Sequence, residues 1–179
     1  MNAVLIVYAT VDGHTKKISF SLARSFQTFG FTTQVVSVEK LTGADIQAAS
    51  HIIIGASIRY GRHHKLVYEL IEKYRKALVQ KNAAFFSVNL VARKPEKRDP
   101  YTNPYTKKFL QEVHWRPACA AVFAGRLNYR IYSFWDKHMI RFIMWITHGP
   151  TDPTTDIEFT DWPQVEAFAQ TVAQLNKNS

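Results

Sequence analysis

Five apolar runs of strand length recur along the chain, and most of them are continuous rather than alternating. A continuous apolar run indicates a strand buried on both faces, as in a parallel sheet covered by helices. The runs are Ala3–Tyr8, Thr32–Val38, His51–Gly55, Ala83–Leu90 and Ala118–Gly125. They therefore predict the five strands of one sheet.

Amphipathic helical patterns separate these runs. They cover Lys16–Phe29, Leu66–Leu78, Tyr105–Val113 and Trp162–Leu175. Asp161 precedes Trp162-Pro163 and is the expected N-cap of the last helix. The segment around Gln47 is left unassigned. We therefore expect one doubly wound α/β domain over residues 1–179, with its ligand at the carboxyl ends of the strands.

The first strand ends in a turn that is suited to binding phosphate. Thr10-Val11-Asp12-Gly13-His14-Thr15 stands between the apolar run and the first helix. A helix N-terminus presents backbone N–H groups and positive dipole charge, glycine allows close approach, and Thr10 and Thr15 supply hydroxyl donors. The alternative interpretation is an ordinary strand-to-helix turn in which Asp12 or Thr15 is the N-cap.

Two further loops belong at the same edge of the sheet. They are Ser57-Ile58-Arg59-Tyr60-Gly61 and Ser87-Val88-Asn89-Leu90-Val91-Ala92-Arg93. Ser57 and Asn89 can hydrogen-bond the edge of a polar ring, Tyr60 can cover its face, and Gly61 permits backbone approach. These loops indicate a flat heterocycle. The Gly-x-Gly-x-x-Gly and Gly-Lys-Ser/Thr patterns of dinucleotide and nucleoside-triphosphate sites do not occur.

With these residues identified, the chain resembles the flavodoxin-like FMN proteins, first in Thr10–Thr15 and then in the five-strand plan. Further segments resemble one family of them, the quinone-dependent protoporphyrinogen IX dehydrogenases of bacteria. These segments are Ala56–Gly61, Ser87–Arg98, Trp115-Arg116-Pro117 and Glu158–Trp162. The resemblance implies strand order 2-1-3-4-5, FMN as cofactor and a quinone as acceptor. It also implies oxidation of protoporphyrinogen IX to protoporphyrin IX, late in haem biosynthesis.

Two features depart from the electron-carrier flavodoxins. Asp12 replaces a hydroxyl residue, and we expect its carboxylate to turn away from the phosphate that it would repel. The loop from Asn89 to Arg93 has no aromatic side chain to cover the outer face of the flavin. We expect that face to be open to a large flat substrate.

A long insertion, about 126–160, follows the fifth strand. Its centre, Ile131–Thr147, is rich in aromatic and aliphatic residues, and Arg130, Ser133, Lys137, Arg141 and His148 form one helical stripe. A narrow basic face opposite a broad apolar one is typical of a helix lying in a membrane interface. The alternative interpretation is a helix buried in the core or in a dimer interface.

Basic residues follow the fourth and fifth strands. Arg93, Lys94, Arg126 and Arg130 are candidate ligands for the propionates of the tetrapyrrole, because arginine pairs with carboxylates in bidentate geometry. The alternative is a solvated basic rim that attracts anionic lipid. His63-His64 lacks a second group of ligands, so we expect exposed histidines at a helix N-terminus and no metal. No residue is assigned as catalytic.

Composition sets the wider expectations. The net charge of +9 indicates an anionic partner. No run approaches the roughly 18 apolar residues of a membrane span, and Met1-Asn2-Ala3 lacks a basic signal region. We therefore expect a cytoplasmic enzyme, peripheral on the cytoplasmic face of the inner (plasma) membrane, that uses menaquinone or ubiquinone. The alternatives are an FMN-dependent NAD(P)H:quinone reductase and a flavodoxin-type electron carrier, and a nucleic-acid partner is not expected.

Overall fold

The computed structural model of the protein describes residues 2–175, and its centre is a parallel sheet. The sheet runs in the order β2-β1-β3-β5-β6, which in chain order is the predicted arrangement of five parallel strands. These strands are β1 (Ala3–Ala9), β2 (Thr32–Ser37), β3 (His51–Arg59), β5 (Asn82–Asn89) and β6 (Cys119–Ala124). The predicted fold class is confirmed.

The strands are continuously apolar because helices cover both faces of the sheet. The three inner strands β1, β3 and β5 are the most deeply buried, whereas β2 lies at an edge and is half-buried. One core packs Ile18, Leu22 and Phe26 against the sheet. The other packs Val67 and Ile71 against the opposite face. The carboxyl ends of all five strands are left at one uncovered edge.

Six α-helices accompany the sheet. They are α1 (His14–Thr28), α2 (Gly43–Ala48), α3 (Lys65–Gln80), α4 (Pro104–Glu112), α5 (Phe134–Ile146) and α6 (Trp162–Ala173). Asp161 caps α6 as predicted, since its carboxylate accepts the N–H of Gln164. The unassigned segment around Gln47 is α2, which begins with a reciprocal capping box between Thr42 and Asp45.

Strand β3 is longer than its apolar run and ends in a tight hairpin. It pairs antiparallel with β4 (Arg62–His63) across Tyr60 and Gly61, whose φ angles are +53° and +75°. Positive φ at both central residues is the geometry of a two-residue hairpin turn, and it is uncommon for a tyrosine. The hairpin therefore fixes the loop after β3 as a rigid element.

The insertion has its own small framework. Strands β7 (Arg126–Asn128) and β8 (Asp156–Glu158) pair antiparallel at its base, and α5 lies between them in the sequence. Arg130 and His148 fall outside α5, so the predicted stripe of five residues is wrong at both ends, and Ser133 is the N-cap. Within residues 2–175 no helix combines the length and hydropathy that crossing a bilayer requires.

Candidate functional site

A cavity of about 460 Å³ opens at the carboxyl edge of the sheet, and this volume is typical of small-molecule sites. Most of the predicted cofactor residues line it. These lining residues are Thr10, Asp12, Gly13, His14, Thr15, Ser57, Ile58, Tyr60, Gly61, Val88, Asn89, Leu90, Val91 and Arg93. The three separated segments of the sequence therefore converge on one site.

The turn before α1 has the form of an anion site. Gly13 is the N-cap of α1 in a left-handed conformation with φ +82°, and no side chain caps the helix. The alternative that Asp12 or Thr15 is the N-cap is therefore wrong. Thr10 Oγ1 accepts the N–H of Gly13 at 3.0 Å, which closes the turn. A residue with a side chain would be strained at this positive φ, so glycine is favoured at position 13.

Thr15 provides the test of whether a phosphate fits here. Its hydroxyl is fully buried and has no hydrogen-bond partner within the described chain, although the residue lines the cavity. A buried hydroxyl without a hydrogen-bond partner lowers the stability of the folded state unless a ligand supplies the hydrogen bond. The N-terminus of α1 supplies backbone N–H groups at the same point. The turn therefore fits the phosphate of FMN, the cofactor that the resemblance implies.

Asp12 is held by a cation in the neighbouring loop. Arg59 Nη2 lies 2.7 Å from Asp12 Oδ1, and Arg59 Nη1 lies 3.5 Å from Asp136 Oδ1. Burial raises the pKa of the Asp12 carboxyl, and the Arg59 guanidinium offsets part of that rise. The Asp12 carboxylate is therefore paired with the guanidinium of Arg59. Its orientation relative to a bound phosphate stays a prediction.

His14 and Lys17 complete the phosphate end of the cavity. His14 Nε2 lies 2.6 Å from Thr160 Oγ1, and that hydroxyl donates to the carbonyl of Ala124. Burial lowers the pKa of His14. The ammonium of Lys17 pairs with Glu158 at 2.6 Å. The neutral imidazole therefore donates to Thr160 and links α1 to the segment that follows β8.

The loop after β5 is braced from within by buried amides. Asn89 Oδ1 accepts the N–H of Ala92, and its amide nitrogen donates to Ser87 Oγ. Asn103 donates to Asn89 Oδ1 at 3.3 Å. The side chain of Asn89 is thus engaged within the protein, although the residue lines the cavity as predicted. Val11, Ser87 and Ala92, which were predicted to bind the cofactor, lie outside the lining in the described chain.

His63 is buried beneath this loop, so the expectation of two exposed histidines is wrong for it. Its Nε2 lies 2.9 Å from Ser87 Oγ, and burial lowers the pKa of His63 to about 3. The neighbouring His64 is exposed and caps α3 by accepting the N–H of Leu66. Among residues 2–175 no group of three or more His, Cys, Asp or Glu side chains is placed to hold a metal ion.

The predicted substrate arginines are engaged in internal contacts. Arg93 and Arg126 line the cavity, while Lys94 and Arg130 are absent from the described lining. Arg93 donates to the carbonyl of Leu90 at 3.0 Å and to Thr147 Oγ1 at 2.7 Å. Arg126 forms a bidentate pair with Asp156 at 2.7 and 2.6 Å. Their role toward propionates stays a prediction.

Helix α5 forms a wall of the cavity, which sequence reasoning missed. At its first turn Asp136 accepts a 2.5 Å hydrogen bond from Tyr60 Oη, and this bond together with the Ser133 hydroxyl lowers the pKa of Asp136. At its far end Arg93 holds Thr147. The missed lining residues include Tyr105, Tyr132, Asp136, Met139, Ile140, Ile143 and Met144. Asp136, Met139, Ile140 and Ile143 follow i, i+3, i+4, i+7 spacing, a signal of an inward face.

The other face of α5 is exposed. The exposed fraction is 78% for Trp135, 59% for Phe142 and 68% for Trp145, and only Met144 of this helix is buried. Arg141 Nε donates to the carbonyl of Thr151, so the segment after α5 is held against this helix. The alternative of a helix buried in the core of this chain is therefore wrong. The helix has one apolar face on the cavity and a second one on the surface.

Comparisons with known proteins agree with this site. A family model described as a flavodoxin domain matches residues 5–154. A protoporphyrinogen IX dehydrogenase [quinone] from Escherichia coli (strain K12) is 42% identical over 171 residues, which are 96% of this chain and 94% of that protein. A relative of the same name from Leishmania major is 40% identical over 172 residues, which are 96% of this chain and 74% of that protein.

Among solved structures, oxidised flavodoxin 1 from Bacillus cereus has a TM-score of 0.52 at 14% identity. The match covers 98% of this chain and 100% of that flavodoxin, and at this identity it supports the fold alone. The comparisons confirm the resemblance, the fold and FMN as the cofactor. The chain belongs to the flavodoxin-domain family and, within it, to the quinone-dependent protoporphyrinogen IX dehydrogenases.

Proposed function

We propose that this protein is an FMN-dependent enzyme that oxidises protoporphyrinogen IX to protoporphyrin IX with a quinone as electron acceptor. One observation carries the proposal beyond family membership. A single cavity joins the phosphate-binding turn to a helix whose outer face is apolar and exposed. An electron-carrier flavodoxin has no need of such a helix, whereas an enzyme with lipophilic substrates does.

Bound FMN supplies the two-electron redox chemistry. The chain supplies position and environment. Gly13, Thr10 and the unpartnered hydroxyl of Thr15 hold the phosphate, and Arg59 neutralises Asp12 beside it. The braced loop after β5 and the hairpin at Tyr60 fix the two sides of the ring site. Met139, Ile140 and Ile143 make the remaining side apolar.

We further propose that the outer face of α5 binds the membrane that contains the quinone. Trp135, Phe142 and Trp145 are large exposed apolar side chains on one helix, a pattern typical of interfacial anchors. Lys137 and Arg141 lie on the same helix, and the net charge of +9 favours an anionic surface. The enzyme would be peripheral on the cytoplasmic face and would use menaquinone or ubiquinone.

The function is tested with the purified flavoprotein under anaerobic conditions. Adding protoporphyrinogen IX should bleach the flavin absorbance, and adding a quinone should restore it. Because the conversion to protoporphyrin IX removes six electrons and FMN accepts two at a time, porphyrin fluorescence should appear as the quinone is consumed. Bleaching by NADPH without the tetrapyrrole would instead indicate an NAD(P)H:quinone reductase. If neither donor bleaches the flavin, the proposal is wrong and an electron carrier becomes the better interpretation.

A further inference from the structure

The inner face of α5 differs from the rest of the cavity in its chemistry. The phosphate turn and the strand loops contribute hydroxyls, amides and charged groups beside a few aliphatic side chains. After Asp136 in its first turn, α5 contributes only apolar side chains, which are Met139, Ile140, Ile143 and Met144. Met144 is fully buried and anchors the helix, while Met139 and Ile143 are each 39% exposed. A ligand that contacts this wall therefore meets aliphatic carbon and sulfur.

Charge distinguishes between the two lipophilic molecules of the proposed reaction. Three of the four Lys and Arg side chains in the described cavity lining form ion pairs within the chain, and the fourth, Arg93, forms hydrogen bonds only. Lys17 pairs with Glu158, Arg59 with Asp12 and Asp136, and Arg126 with Asp156, while Arg93 donates to Leu90 and Thr147. The side chains that α5 contributes to the described lining include no cation, so the two propionates of protoporphyrinogen have no charge to pair with on this wall. An uncharged ring has no such requirement, so the wall suits the quinone better.

The wall is also continuous with the exposed face of the helix. Met139 and Ile143 line the cavity and are partly exposed, and Trp135, Phe142 and Ile146 follow them around the helix. The spacing of about 3.6 residues per turn places these side chains side by side. An apolar path therefore leads from the cavity, across the rim of α5, to the surface that is proposed to meet lipid.

We propose that Met139, Ile140 and Ile143 form the quinone subsite of this cavity. The uncharged ring packs on Ile140 and Ile143, and the isoprenoid tail leaves over Met139 and Ile143 toward the outer face of α5. This inference rests on the proposed function, since it assigns the acceptor of that reaction to one wall of the site.

The test places a polar side chain of similar length on the rim. The double variant Met139→Gln and Ile143→Gln should bind a short-tailed, water-soluble quinone about tenfold more weakly. Isothermal titration calorimetry on the oxidised flavoprotein measures this dissociation constant without turnover. In steady state, the ratio of the quinone KM to the protoporphyrinogen KM should rise by a similar factor. Met139→Leu with Ile143→Leu should retain tight binding.

A matched control makes the same kind of change on a different helix. Val79 on α3 is 58% exposed and lies outside the described cavity lining, so Val79→Gln should leave the affinity for the soluble quinone unchanged. Flavin fluorescence confirms that each variant still binds FMN. If the double variant loses its flavin, the single variant Ile143→Gln carries the same test, with a smaller rise in the dissociation constant.

The outcomes separate this inference from the proposed function. Wild-type quinone affinity in the Gln variants would overturn the subsite, as would a rise in the protoporphyrinogen KM alone, which would assign the wall to the tetrapyrrole. If the parent protein does not oxidise protoporphyrinogen, the proposed function fails. Calorimetry still decides in that case whether α5 binds a quinone.

Discussion

The two sides of the cavity are held in place by different kinds of interaction. The cofactor side is formed by the ends of β1, β3 and β5, whose side chains pack in two buried cores. The α5 side packs Met144 against Leu127 and Tyr129 in a separate small core. Polar side-chain contacts hold it further, from Tyr60 and Arg59 at one end and from Arg93 at the other. The cofactor side is held by the cores of the sheet itself, whereas the α5 side can be altered without disrupting the sheet.

The most severe test of this difference removes the exposed aromatics of α5. Replacing Trp135, Phe142 and Trp145 together by alanine deletes three groups, each worth about 1.5–3 kcal/mol when fully buried in an apolar phase. Co-sedimentation with anionic liposomes should fall by roughly a thousandfold or more. Flavin affinity should not change, because these side chains face away from the cavity.

The control for that variant removes exposed aromatics elsewhere. Phe20→Ala on α1 and Tyr101→Ala after β5 remove side chains that are 47% and 63% exposed. Liposome binding should stay at the parental level in both. If the α5 variant instead loses its flavin or precipitates, its aromatics stabilise the cofactor side, and the contrast between the two sides disappears.

The cofactor side is tested at Thr15. Thr15→Ala removes a hydroxyl whose charge-assisted bond to the phosphate is worth about 1.5–3 kcal/mol, so FMN should bind roughly ten- to a hundredfold more weakly. A flavin-fluorescence titration measures the change. Thr171→Ala on α6, which loses only a bond to the carbonyl of Ala167, should bind FMN like the parent. Equal affinity in both variants would place the phosphate elsewhere.

A smaller effect concerns the buried histidine below the loop after β5. The pKa of His63 falls from 6.5 in an unfolded chain to about 3 in the folded protein. The unfolded state therefore binds a proton first, and the stability contributed by neutral His63 is complete above pH 6.5 and is lost as the pH falls toward 3. Between about pH 7.5 and pH 5.5 the parent should lose about 1.4 kcal/mol through His63.

Urea unfolding at the two pH values measures this loss, and His63→Gln provides the comparison. Glutamine does not titrate, and its amide can still bond Ser87, so the variant should lose about 1.4 kcal/mol less than the parent over the same interval. His14 and His51 also have lowered pKa values, and both proteins share their contributions. An equal loss in both proteins would mean that folding does not lower the pKa of His63.

The two sides also differ in how far the sequence predicts them. The turn at Thr10–Thr15 is local: an apolar strand, a glycine and two hydroxyls within fifteen residues specify it. The contacts that place α5 join residues far apart in the chain, Tyr60 with Asp136 across 76 positions and Arg93 with Thr147 across 54. Periodicity reveals that α5 is amphipathic but not which face meets the cavity, because that depends on partners outside the helix.

The hairpin at Tyr60 and the burial of His63 were missed for a related reason. The run His51–Gly55 ends where glycine and polar residues begin, although the backbone of β3 continues to Arg59. Pairing with β4 extends β3, and a hydrogen bond to Ser87 accompanies the burial of His63. Neither contact is visible in the pattern of apolar and polar side chains. Likewise, the predicted substrate arginines are basic residues in the expected place, but their acidic and carbonyl partners could not be read from spacing.

The long spans of these contacts have a consequence for the order of folding. Closing a loop of 54 or 76 residues for a few hydrogen bonds brings little gain until the sheet already holds the ends together. We therefore expect helix α5 to dock after the sheet has formed. By the same argument we expect it to detach first, in a local opening that costs less free energy than global unfolding. Amide protons of α5 should exchange with solvent well before those of β1, β3 and β5.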